Sequence, residues 1–166
     1  MNNIILCGFM GCGKTTVGKN LAKMADMKFI DMDKYIEDKA QMTVKEIFAE
    51  KGEDGFRDME HQACIDLAKE NNNVIAAGGG TLTFERNTEV LSKTGTIVLI
   101  DASYKTLCDR LKNDTARPLL QTENRNEKIR ELLDSRMPLY KKASSITVNG
   151  NLPPKKVAQE IIEKVK

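Results

Sequence analysis

Histidine is almost absent from this sequence: the chain has one, His61, in 166 residues. That excludes the HExxH zinc motif and any site built on two histidines, and a Ser-His-Asp triad would have to rest on that single residue. Cysteine is sparse too. Cys7, Cys12, Cys64 and Cys108 form no CxxC pair and no zinc-ligand spacing, which suits reduced thiols in a cytosol and not a secreted disulfide framework. Long hydrophobic runs are missing: the apolar start, Ile4 to Met10, has no basic segment before it and falls far short of the ~20 residues of a membrane span. With no targeting signal visible, a cytoplasmic location and no membrane partner are expected. Charge of one sign is not in excess either. Lys plus Arg number 26 against 24 Asp plus Glu, and a formal net charge of +2 is too weak a field to argue for nucleic acid. Arginine is the scarcer cation, 7 against 19 lysines, so the places where arginines fall carry information.

What remains is an ordinary globular composition, 40% hydrophobic and 30% charged, which excludes disordered and collagen-like classes. One domain spanning 1–166 is expected, and on its small size a monomer. Apolar runs at Ile4–Cys7, Val74–Ala77, Ile97–Ile100 and Ile146–Val148, with a shorter one at Phe29–Ile30, read as strands buried on both faces, as in a parallel sheet. Between them lie helical stripes: Val17, Leu21, Met24 and Ala25; Tyr104, Leu107, Cys108 and Leu111; Ile129, Leu132, Leu133 and Tyr140. Thr43-Val44-Lys45-Glu46 fits a capping box opening a helix through Ile47 and Phe48, and a second helix is predicted after Gly55, with Met59, Ala63, Cys64 and Leu67 on one face. Pro153-Pro154 starts the last, with Val157, Ile161 and Val165 following. The order β-α-β-α-α-β-α-β-α-β-α predicts a three-layer α/β/α domain around a five-stranded, mainly parallel sheet.

The strongest motif is Gly8-Phe9-Met10-Gly11-Cys12-Gly13-Lys14-Thr15, a GxxxxGK[ST] loop between the first strand and the first helix. Its glycines let backbone N–H groups converge on phosphate oxygens, and the helix start adds its positive dipole end. In such loops the lysine, here Lys14, reaches the β- and γ-phosphates and the hydroxyl residue, here Thr15, holds Mg2+. No NKxD reads guanine and no LSGGQ-like signature is present, which leaves a small phosphotransferase as the simplest class.

Asp31 and Asp33 follow the second strand two residues apart, so in an extended segment their carboxylates point the same way, at the sheet edge where open α/β folds bind ligands. One is placed to assist Mg2+ and the other to orient an acceptor hydroxyl. The competing reading is that Asp33 caps the helix through Tyr35 and Ile36. Gly78-Gly79-Gly80, after the third strand, is either a flexible turn or a close backbone approach to a ligand. Asn113 to Asn124 is polar and contains Arg117-Pro118, as in a lid or an ordinary mobile loop.

Taken together, the motifs resemble those of the shikimate kinase family, from Ile4 to the last helix: GFMGCGKTT, the F-x-D-x-D of Phe29 to Asp33, Gly52-Glu53 with Phe56-Arg57 and Glu60, Ala77 to Gly80, Arg117-Pro118-Leu119, and Arg136 with Tyr140. The resemblance implies transfer of the γ-phosphoryl group of ATP to the 3-hydroxyl of shikimate, on the route to chorismate and the aromatic amino acids. It implies that Gly11, Cys12, Gly13, Lys14, Thr15 and Thr16 bind ATP, with Arg110 near adenine and Arg117 supplying charge from a lid at about 112–124. It implies an acceptor segment at about 33–60, with Arg57 and Arg136 clamping the shikimate carboxylate and Asp33, Gly78, Gly79 and Gly80 holding its hydroxyls. Thr15 and Asp31 would hold Mg2+, Asp31 through water. Lys14, Asp33 and Arg117 become the catalytic candidates, with Asp33 a base or a positioner. Phe48, Phe56, Glu60 and Pro118 match positions that shape the family's pocket, though the two phenylalanines fit equally as core. No motif carries over in Thr147 to Lys155, where an adenine loop belongs. A gluconate-type or nucleoside monophosphate kinase, or a nucleotide-binding module without catalysis, stand as alternatives.

Overall fold

The computed structural model describes residues 2–166, apart from the side chain of Pro118; the expectation placed on that side chain therefore lies outside the described residues. Five strands form the sheet: β1 (Asn3–Cys7), β2 (Lys28–Asp31), β3 (Asn73–Ala76), β4 (Gly95–Asp101) and β5 (Ile146–Asn149). All pairings are parallel, in the order β2-β3-β1-β4-β5. The apolar residues of β1 and β3 are buried, as their unalternating runs predict, and so are Asn3 and Asn73, which open the two strands. The register Ile5 opposite Ile75 on one side and Ile97 on the other puts β1 at the centre of the core.

The helices are α1 (Lys14–Ala25), α2 (Met32–Ala40), α3 (Val44–Ala68), α4 (Glu85–Ser92), α5 (Tyr104–Leu111), α6 (Arg125–Ala143) and α7 (Pro154–Val165). The predicted order counts one helix between the last two strands, although two stripes are read there; the structure has two, α5 on the Tyr104 to Leu111 stripe and α6 on the Ile129 to Tyr140 stripe, separated by the segment that carries Arg117. The stripe of α1 is Val17, Gly18, Leu21 and Ala22, whereas Met24 is 45% exposed. Gly18 leaves no room for a side chain in that stripe, because the Phe29 ring of β2 fills the space a Cβ would need. The capping box at Thr43 forms in full. The break predicted before a second helix falls at Gly52, whose φ of 73° and ψ of 179° interrupt α3 as a kink. Cys64 is buried, Cys108 is half-buried, and all four cysteines are free thiols. Among the described residues no helix is long and apolar enough to cross a membrane.

Parallel strands end on one edge, so the loops after β1, β2 and β3 are brought side by side there. These loops are Gly8 to Gly13, the start of α2, and Gly78 to Gly80.

Candidate active site

The loop after β1 needs left-handed backbone at Gly13, with φ of 100°, where α1 begins. No side chain caps α1, so its first N–H groups stay open toward the loop interior, the arrangement that receives phosphate oxygens. Lys14 Nζ donates to the carbonyls of Gly8 and Phe9, which holds the ammonium inside the loop. Thr15 and Thr16 are exposed on the first turn of α1. Gly11 packs on α5: a Cβ there would stand 2.9 Å from Leu111 Cγ.

Beside this loop is a cleft of about 270 Å³, lined by Gly11, Cys12, Thr16, Arg110 and, from the β5–α7 turn, Gly150, Leu152 and Pro154. Arg110 binds these parts together: Nη1 donates to the Gly11 and Cys12 carbonyls at 3.1 and 3.2 Å and Nη2 to the Gly150 carbonyl at 3.0 Å. Leu152 and Pro154 escape a reading of the sequence because an apolar lining has no motif of its own.

Asp31, the last residue of β2, and Asp33 do not share a direction as a strand would dictate, because the chain turns helical at Met32. Asp31 is the helix cap, its Oδ1 accepting from the N–H groups of Asp33 (3.0 Å) and Lys34 (3.3 Å). The capping role considered for Asp33 thus belongs to Asp31. Asp33 sits in the first turn with its carboxylate against the glycine triplet, Oδ1 lying 2.9 Å from where a Cβ would sit on Gly78. Burial, followed by repulsion from Asp31 and Glu60, raises Asp33 from the usual 3.8 to about 6, while the Lys14 charge pulls it down.

Arg57 and Arg136 flank the same triplet: Arg57 Nη2 is 2.7 Å from the Cβ position of Gly80, and Arg136 Nη1 is 3.2 Å from that of Gly79. Side chains at Gly79 and Gly80 would crowd these guanidinium groups, so the triplet is a close approach to the protein's own arginines. Arg57 donates to Glu60 Oε1 at 3.0 Å, and its Nε is buried without a hydrogen-bond partner, 3.7 Å from Glu53. The rings of Phe56 and Phe84 lie 5.4 and 5.1 Å from its guanidinium carbon. Phe56 is core, whereas Phe48, stacked on it at 4.8 Å, is 37% exposed. Tyr140, almost fully buried, donates its hydroxyl to the Gly79 carbonyl, and burial pushes its pKa well above the ordinary value.

Arg117 stands apart from this assembly, its guanidinium paired with Asp114. The backbone N–H groups of Arg117 and Ala116 also donate to Asp114, which together with that charge lowers the pKa of its carboxyl. Arg125, which no motif marks, straps the base of this segment, donating to the carbonyls of Leu111, Lys112 and Leu120.

Among the described residues no three His, Cys, Asp or Glu side chains cluster as metal ligands. The oxygens present fit a cation of the Mg2+ type, which takes one or two protein donors and fills its shell with phosphate and water. The Thr15 hydroxyl is exposed, and Asp31 has only Oδ1 engaged in capping.

A phosphate loop at the central strand, next to a pocket that pairs one raised aspartate with two arginines, defines a small P-loop phosphotransferase. A family profile described as shikimate kinase matches residues 10–166. A shikimate kinase of Thermodesulfovibrio yellowstonii is 45% identical over 163 residues, 98% of this chain and 94% of that one. A shikimate kinase structure from Acinetobacter baumannii, in complex with shikimate, superposes with a TM-score of 0.92 at 38% identity, covering 99% of this chain and 93% of that one. Another, from Bacteroides thetaiotaomicron, gives 0.91 at 34%, covering 99% and 98%. The chain belongs to the shikimate kinase family.

Proposed function

We propose that this chain transfers the γ-phosphoryl group of ATP to the 3-hydroxyl of shikimate, giving shikimate 3-phosphate and ADP. The observation that carries the reading is the convergence of Asp33, Arg57 and Arg136 on Gly78 to Gly80, within reach of the Lys14 charge. Shikimate has one carboxylate and three ring hydroxyls. Two guanidinium groups match the carboxylate, since planar donors meet it bidentately. Asp33 accepts a hydrogen bond from the 3-hydroxyl, and at pKa about 6 it is ionised at neutral pH yet basic enough to take the proton. The hydroxyl oxygen then attacks the γ-phosphorus in line as the bond to the β–γ bridging oxygen breaks, and ADP leaves. Lys14 and the loop amides hold the phosphates through this exchange, and Arg117 adds charge when its segment folds over the loop. Thr15 and Asp31 would hold Mg2+, which neutralises phosphate charge when bound. Free thiols agree with a cytoplasmic location and the small size of the chain with a monomer.

A coupled ADP-release assay with shikimate, gluconate and AMP tests the acceptor. ADP release that depends on shikimate alone is expected. Turnover with either of the others, or none with any of the three, would overturn the assignment.

A further inference from the structure

We propose that Thr81 and Asn87 are positioning residues of the acceptor site, joined with His61 and Glu60 in a closed hydrogen-bond circuit that holds Arg57 against the glycine triplet. The circuit begins and ends on α3. Glu60 Oε2 accepts from the Thr81 hydroxyl at 2.8 Å, and the neighbouring His61 meets Asn87 Oδ1 through Nδ1 at 2.8 Å. Asn87, on α4, returns to the turn by donating Nδ2 to the Thr81 carbonyl at 2.9 Å. Glu60, Thr81 and Asn87 are each at most 1% exposed, so water is no substitute for a lost partner.

The directions of these bonds are forced. Thr81 offers a carbonyl oxygen, so the Asn87 amide must present N–H to it and its oxygen to His61, and a flipped amide would face acceptor to acceptor. His61 Nδ1 therefore carries the proton, although the Nε2–H form prevails in unconstrained histidine. Glu60 has both oxygens occupied, by Arg57 Nη1 and the Thr81 hydroxyl. Its carboxylate is thereby fixed, and through it the guanidinium that lies against Gly80. Thr81 follows Gly80 directly in the chain, so a shift of this turn moves the triplet and the anchor of Arg57 together. The lone histidine, outside the transfer chemistry, becomes the outer brace of the pocket.

This inference rests on the reading in which Arg57 holds the acceptor carboxylate, and the test separates the two. Steady-state kinetics of Thr81→Val, Thr81→Ser, His61→Ala and Arg57→Ala are compared with the unaltered chain. Thr81→Val is expected to raise KM for shikimate about tenfold with KM for ATP within about twofold, because a buried carboxylate loses one donor. Thr81→Ser, which keeps the hydroxyl, restores the value, and His61→Ala gives a smaller rise of the same kind. If Arg57→Ala leaves KM for shikimate unchanged, the acceptor reading itself falls. If Arg57→Ala raises it while Thr81→Val and His61→Ala do not, or if both KM values rise equally, only the circuit is overturned. A second measurement needs no variant. The sequence has one histidine, so its imidazole nitrogens give a single set of 15N signals, and at about pH 8 they are expected to report the Nδ1–H tautomer. Finding Nε2–H would overturn the proposal.

Discussion

At Asp33 two demands meet on one carboxyl group. Burial and the neighbouring charges of Asp31 and Glu60 oppose its ionisation, while acceptance of a hydroxyl proton requires it. The compromise is a pKa of about 6. Turnover at limiting shikimate is therefore expected to fall as pH drops below about 6, following a single ionisation, which a pH profile of kcat/KM reads directly. Asp33→Asn keeps the shape but neither the charge nor the basicity, and is expected to lower kcat at least ~100-fold, the size of a general-base contribution. Arg136→Ala removes one arm of the carboxylate clamp and is expected to raise KM for shikimate ~10- to 100-fold, with circular dichroism unchanged. A near-native KM for this variant would place the carboxylate elsewhere.

Elements decide what a residue can do, and here the sequence is readable in some places and opaque in others. The capping box at Thr43, the glycine-rich start of α1 and the buried runs of β1, β3 and β4 are local patterns with one physical solution each, and they fold as read. Asp31 and Asp33 defeat the strand argument because it presumes extended backbone through Asp33, whereas α2 takes over at Met32. Thr81, Asn87 and Arg125 leave no mark in the sequence. Their partners lie up to 49 residues away and are mostly backbone carbonyls, which every residue possesses. In the segment between α5 and α6, Arg125 fixes both ends while Arg117, 44% exposed, points from the part between them. Arg117→Ala is thus expected to lower kcat about tenfold or more without loss of fold, since the straps of Arg125 and the burial of Leu120 do not involve its side chain. An unchanged kcat would sink the role given to Arg117.

For the whole molecule, the raised pKa of Asp33 is a stability statement. A proton bound more tightly in the folded chain stabilises it below about pH 4, and that contribution is lost as pH rises from 3.8 through about 6. At neutral pH the ionised carboxylate is a burden of about 3 kcal/mol at most. Asp33→Asn is accordingly expected to melt several degrees higher than the unaltered chain at pH 7, with the difference shrinking toward pH 4. Equal melting temperatures at pH 7 would mean that the site bears no such strain.

The strand order carries a consequence for synthesis. β1 leaves the ribosome first, yet its two neighbours, β3 and β4, lie about 70 and 90 residues behind it in register. This strand, apolar but for Asn3, must therefore wait for residue 76 of 166 to gain its first neighbour and for residue 101 to gain its second. During that interval the nascent chain exposes a sticky edge, the kind of surface that holdase chaperones cover and that aggregates when they are short.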